Sequence, residues 1–155
     1  LKNIKNIFLN DVVTTVVDNN NDVYVFGNAP SYRSFQKTKK ILVPEKLELP
    51  NKLLKLEANI DNIYVLTIDN KLYFCSYKDY IFTKLVDDIM DFKVGKILLY
   101  LNKDNKLFIM IGGKISQLDV EGNIKILESQ LILVNHKLYF IGVDGVTYEY
   151  NIILI

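Results

Sequence analysis

The 155-residue chain has no tryptophan, one cysteine (Cys75), one histidine (His136), one arginine (Arg33), three prolines and seven glycines. Each scarcity excludes something. A single cysteine forbids an internal disulfide, and one Cys with one His cannot complete a Cys/His zinc site within the chain. A Ser–His–Asp triad or a carboxylate–histidine base would have to use His136. That residue sits in a two-residue turn, Asn135-His136, where a side chain points to solvent. No Asn-x-Ser/Thr sequon occurs and no apolar run has bilayer-spanning length, so no membrane partner is expected. With 19 basic and 18 acidic side chains the net charge is +1, too small for a global field that recruits nucleic acid, which is not expected as a partner. The lone cysteine and missing sequons fit an intracellular chain, in cytoplasm or nucleus. The wealth of Lys, Asn and Ile suggests an A+T-rich coding genome, such as that of a parasite, an intracellular bacterium or a large DNA virus. Leu1 is not a start methionine, so a fragment or processed piece is expected.

Half of the residues are hydrophobic and 24% are charged, the composition of a folded domain long enough to bury a core. Four segments repeat one pattern: an apolar strand, a polar turn, then a strand with an aromatic at a fixed place. They are Val12–Val17 with Val23–Gly27, Ile63–Ile68 with Lys71–Cys75, Ile97–Leu101 with Lys106–Met110, and Leu131–Val134 with Lys137–Gly142. The aromatics are Tyr24, Tyr73, Phe108 and Tyr139, and each is expected to be largely buried at an equivalent position. Flanking runs such as Leu53–Glu57, Met90–Val94, Ile115–Val120, Ile124–Leu127 and Thr147–Tyr150 alternate apolar and polar residues, as half-buried strands do. The expected fold is all-β: a β-propeller of four consecutive four-stranded antiparallel blades in one domain, 1–155, with blades near 1–50, 51–87, 88–122 and 123–155.

The stretch Val12–Asp18, a polar turn, then Val23-Tyr24-Val25-Phe26-Gly27-Asn28, followed by Val43-Pro44-Glu45-Lys46-Leu47, resembles the repeat of the regulator-of-chromosome-condensation family. The resemblance is good over about residues 1–80 and weaker beyond. The family's tryptophan is replaced by Phe26, Phe74, Met110 and Ile141, and its turn glycine is missing from the first three hairpins. The resemblance implies a seven-bladed ring in full-length members, and it implies guanine-nucleotide exchange or chromatin association as activities.

Other motifs read as structure. Cys75 has no cationic neighbours in sequence and reads as a small buried hydrophobe. Asp18–Asp22 resembles the start of a calcium loop, but the glycine and glutamate it needs are Val23 and Ala29, so it reads as a hairpin turn. Asp87, Asp88 and Asp91 form an acidic cluster that reads as a solvated turn. Gly112-Gly113-Lys114 lacks the rest of a phosphate loop and reads as a tight turn. No catalytic residue, metal site or cofactor is expected, and the chain is not expected to be an enzyme.

The segment 27–40 is different. No acid occurs between Asp22 and Glu45, and Tyr32, Arg33, Phe35, Lys37, Lys39 and Lys40 fall in one loop. Basic residues interleaved with aromatics suit an acidic partner, so these six are the candidate binding residues. Expected partners are proteins, or further propeller blades covering the end blades. Three functions stay open: a non-catalytic protein-interaction scaffold, an exchange or chromatin module, and a structural component of a larger assembly.

Overall fold

The computed structural model describes residues 1–10, 13–27, 41–118, 132–134, 137–141 and 145–151. Among them every regular element is a strand. The strands are β1 Ile4–Leu9, β2 Val13–Asp18, β3 Val23–Gly27, β4 Ile41–Lys46, β5 Leu53–Ala58, β6 Asn62–Thr67, β7 Leu72–Ser76 and β8 Thr83–Val86. They continue with β9 Ile89–Val94, β10 Leu98–Asn102, β11 Leu107–Ile111, β12 Lys114–Leu118, β13 Ile132–Val134, β14 Lys137–Ile141 and β15 Thr147–Asn151. Three four-stranded antiparallel sheets follow chain order: β1–β4, β5–β8 and β9–β12. A fourth sheet contributes β13–β15, and the strand expected near Ile124–Leu127 lies outside the described residues. The chain separates into two compact units, Leu1–Asp87 and Asp88–Ile155.

The hairpins that define the repeat share one turn chemistry. In each, the last residue of the second strand (Asp18, Thr67, Asn102) donates its amide to the carbonyl four residues on, at 3.0 Å in all three. Its own carbonyl accepts from an asparagine three residues on (Asn21, Asn70, Asn105), at 2.9–3.0 Å. These asparagines have φ of 63°, 60° and 61°. Asparagine tolerates this left-handed conformation better than other side chains, which explains how the repeat dispenses with its glycine. Asp18 Oδ1 also accepts from the amides of Asn20 and Asp22, and Asn102 Oδ1 from those of Asp104 and Lys106. Thr67 lacks such an acceptor; its hydroxyl donates to the Asp69 carboxylate and lies 3.2 Å from the Lys71 carbonyl. Asp18–Asp22 is thus a hairpin turn closed by its own side chain. Gly112 and Gly113, with φ of 55° and 81°, make the tight turn between β11 and β12.

The second strand of each sheet is the most buried, as its near-continuous hydrophobic sequence requires: β2, β6 and β10 are almost wholly covered. The aromatic anchors need correction. Tyr24, Tyr73 and Phe108 do occupy one position, each the second residue of its strand, but they are half-buried. The fully covered residues are the aliphatics just before them, Val23, Leu72 and Leu107. Phe108 stacks on its cross-strand partner Tyr100 at 5.1 Å, and Tyr73 packs against the margin of the core cluster. The side chain of Tyr139 lies outside what is described.

In the first unit the two sheets pack face to face. One face of β1–β4 carries Phe8, Val13, Val17, Val23 and Val25, which meet Leu56, Ile63, Val65 and Cys75 of the second sheet. Register explains this choice of face, because residues paired across strands share a side: Ile63 pairs with Cys75 and with Ala58, and Val65 with Leu56 and Tyr73.

Candidate functional site

The six candidate binding residues, Tyr32 to Lys40, lie outside the described residues, as does His136. The segment that holds the six joins the end of β3 to the start of β4, where Gly27 pairs with Ile41. In an antiparallel sheet successive turns alternate between ends. The connection after Gly27 therefore leaves the first sheet at the end opposite the Asp18–Asp22 turn.

That other end carries an open cleft of about 1010 Å³ in the first unit. Three segments build it: the β2–β3 turn, the crossover from β4 to β5, and Ile68 in the β6–β7 turn. Backbone and side-chain bonds tie the walls together. Asn21 Nδ2 donates to the Leu53 carbonyl at 3.1 Å, joining the first sheet's turn to the second sheet. The Leu47 amide donates to the Val23 carbonyl at 2.8 Å, and the Ile68 amide to the Lys52 carbonyl at 2.9 Å.

The lining mixes apolar and polar side chains, with charges of both signs. Leu54 and Ile68 are 52% and 48% exposed, large apolar side chains open to solvent beside Leu49. On one wall Lys46 Nζ pairs with Asp22 Oδ1 at 3.1 Å, and this carboxylate holds the ammonium pKa above its ordinary value. Beside Ile68, the Asp69 carboxyl is held below its usual range, first by the Thr67 hydroxyl that donates to it. Lys71 pairs with Asp69 at 3.7 Å.

Neither reactive candidate joins this cleft. Cys75 is wholly buried between the two sheets of the first unit, and burial, with Asp79 adding to it, pushes its thiol up to about 12. A nucleophilic cysteine needs the opposite shift. The acidic cluster disperses into structure: Asp87 pairs with Lys84 at 3.0 Å, Asp88 with Lys103 at 3.4 Å, and Asp91 is buried, accepting from the Phe92 amide. Among the described residues no group of three or more His, Cys, Asp or Glu side chains converges as a metal site would require.

Sequence reasoning passed over Leu54 and Ile68. The signal for Ile68 was present in the repeat itself. The matching turn positions in the first and third hairpins are Asn19 and Lys103, so an isoleucine there breaks a polar pattern without any gain in burial.

No family model matches this sequence, and no curated protein matches it. Solved structures do. Prp20p from Saccharomyces cerevisiae is 15% identical with a TM-score of 0.71, over 94% of this chain and 43% of that one. Yeast RCC1 (Prp20) in a structure with Kap60 is 16% identical with a TM-score of 0.73, over 93% and 41%. Human WBSCR16 is 10% identical with a TM-score of 0.68, over 97% and 48%. The chain spans less than half the length of each of these. Four-stranded antiparallel sheets in chain order, matched over nearly the whole chain, make the fold an all-β propeller like that of RCC1.

Proposed function

We propose that this chain is a non-catalytic protein-interaction scaffold, built from degenerate repeats of the regulator-of-chromosome-condensation type, that receives a protein segment in the cleft at Leu54 and Ile68. The observation that carries this reading is the pair of exposed apolar side chains on a floor whose walls are fixed by hydrogen bonds. Large apolar side chains with a polar, charged rim are the composition of a protein-binding patch. The rim offers both signs, Lys46 and Lys52 against Asp22 and Glu48, which suits register selection on a peptide more than attraction of a highly charged polymer. Propeller chains of similar fold have protein partners: Prp20p is described with Gsp1p and histones, and yeast RCC1 with Kap60.

The acid-free segment 27–40 is a second docking element of the same scaffold, for an acidic partner. It leaves the first sheet at the opposite end, so the two elements are separable by mutation.

The test is site-specific photo-crosslinking from position 54 in cells of the source, with the crosslinked protein then produced pure. Binding of that protein should fall by roughly tenfold or more in Leu54→Asp/Ile68→Asp. Replacing Arg33, Lys37, Lys39 and Lys40 with Ser should weaken binding of an acidic partner in a salt-dependent way. Unchanged binding by the cleft variant refutes the cleft. Saturable binding to a small GTPase instead would move the reading to an exchange module.

A further inference from the structure

Positions of the repeat can be matched across sheets by register. Ile7 pairs with Val16, and Val16 with Tyr24. The same row in the second sheet is Leu56, Val65 and Tyr73. In the third it is Phe92, Tyr100 and Phe108. The first residue of the row is 60% exposed in Ile7, 4% in Leu56 and 0% in Phe92. The next row of the first sheet repeats the contrast: Leu9 pairs with Thr14, Thr14 with Phe26, and Leu9 is 76% exposed. At the β1 position the slot is therefore filled by a large apolar residue three times and left open once, while Val16, the middle residue of the open row, is buried.

What closes the slot in the second sheet is known. Leu56 is buried in the cluster formed with Val13, Val17, Val23 and Val25, the aliphatic face of the first sheet. The opposite face of the first sheet carries the same kind of residues as the face that Leu56 belongs to. Its β1 edge, at Ile7 and Leu9, is the part left uncovered, and a repeat unit cannot bury its apolar faces alone.

We propose that this face, centred on Ile7 and Leu9, is a self-association surface covered by a sheet of a second copy of this chain. Three observations favour a second copy. The covering chemistry displayed inside the first unit is this chain's own sheet. The matched solved chains extend about one further chain length beyond this one, so a second copy is a body of the right size. Beyond Tyr24 the first row continues to Lys46, whose ammonium is already paired with Asp22, so the one cation of these rows carries its own counter-ion when a like copy meets it. This surface is distinct from the cleft at Leu54 and Ile68 and does not depend on it.

The experiment is light scattering and sedimentation of the 155-residue chain, with far-UV circular dichroism as a fold check. The expected mass is twice the monomer mass. Ile7→Asp, and independently Leu9→Asp, should weaken the dimer by roughly tenfold or more with the strand spectrum unchanged. Both residues are exposed within the monomer, so the variants should fold; if one does not, the other carries the test. Ile81→Asp, at an exposed position outside this face, should leave the mass unchanged. A monomeric or polydisperse wild type, a dimer unaffected by both substitutions, or equal loss in Ile81→Asp would each overturn the proposal.

Discussion

The left-handed asparagines give a prediction with a sign that ordinary intuition gets wrong. Asn70 has φ 60° and donates its amide to the Thr67 carbonyl at 2.9 Å, so the turn needs that backbone conformation. Replacing it by alanine or by glycine removes the same side chain, and the difference between the two variants isolates the backbone. Alanine in the left-handed region costs about 1–2 kcal/mol. Glycine avoids that cost but loses about 0.4–1 kcal/mol through the greater freedom of its unfolded chain. Asn70→Gly should therefore be more stable than Asn70→Ala by about 1 kcal/mol net. At Asp104, which does not have a positive φ, the order should reverse, with Ala the better residue. Urea titrations read the difference as a midpoint shift of roughly half a molar unit at a slope of about 2 kcal/mol per molar. The reasoning is refuted if Asn70→Ala equals or exceeds Asn70→Gly, because the turn would then not hold the left-handed asparagine that stands in for the repeat's glycine.

Leu72→Ala should cost about 2–5 kcal/mol in a urea titration, since Leu72 is wholly buried, unlike the half-buried Tyr73 that follows it. Stability should fall at alkaline pH. The Cys75 thiol ionises near 9 when unfolded and is pushed up to about 12 in the fold, so its contribution is complete below pH 9. It is lost as pH rises from about 9 to 12, at about 1.4 kcal/mol per unit, and Tyr77 and Tyr80, also raised by burial, add in the same direction. A thermal midpoint flat across that range contradicts this. The same burial predicts that Cys75 resists thiol reagents at pH 8 in the native state and reacts fully once urea unfolds the chain.

Most strands were legible in the sequence because the repeat marks them twice, by a polar turn and by an aromatic three residues after the turn asparagine. What was not legible was depth. Tyr24, Tyr73 and Phe108 recur at one place in the repeat and were expected to be largely buried, yet the fully buried residues are Val23, Leu72 and Leu107. Sheet-on-sheet packing favours small branched side chains at the centre, while a ring gains its contacts by lying across a neighbouring strand, as Phe108 does on Tyr100. The acidic run near Asp87 was read as solvated, and for Asp87 and Asp88 the lysine pairs at a surface agree; Asp91, three residues on, is buried because β9 turns it inward. Sequence alone gives no register for that alternation. The cleft was invisible for a different reason. Its walls come from segments separated by more than a strand, joined by bonds such as Asn21 to Leu53 that no local pattern encodes.

A repeat protein supplies its own controls, and here they separate residues kept for folding from residues that folding does not explain. Where a slot must be filled for the sheet to form, the repeats agree in chemistry: asparagine at 21, 70 and 105, a buried aliphatic at 23, 72 and 107. Two slots disagree. Ile68 stands where Asn19 and Lys103 stand, apolar in a solvent-facing turn. Ile7 stands where Leu56 and Phe92 stand, the same chemistry with its cover removed. The two disagreements are of opposite kinds. At Ile68 the environment is ordinary and the residue is changed, which points to a contact made outside the repeat. At Ile7 the residue is ordinary and the environment is changed, which points to a blade-like surface that completes the repeat. A single mutation tests each without disturbing the other: Ile68→Asn restores the turn's usual polarity and should weaken only capture of a partner segment, whereas Ile7→Asp should alter only the mass of the assembly. If Ile68→Asn instead lowers stability by more than about 0.5 kcal/mol, the isoleucine is part of the core after all and the cleft loses its motive.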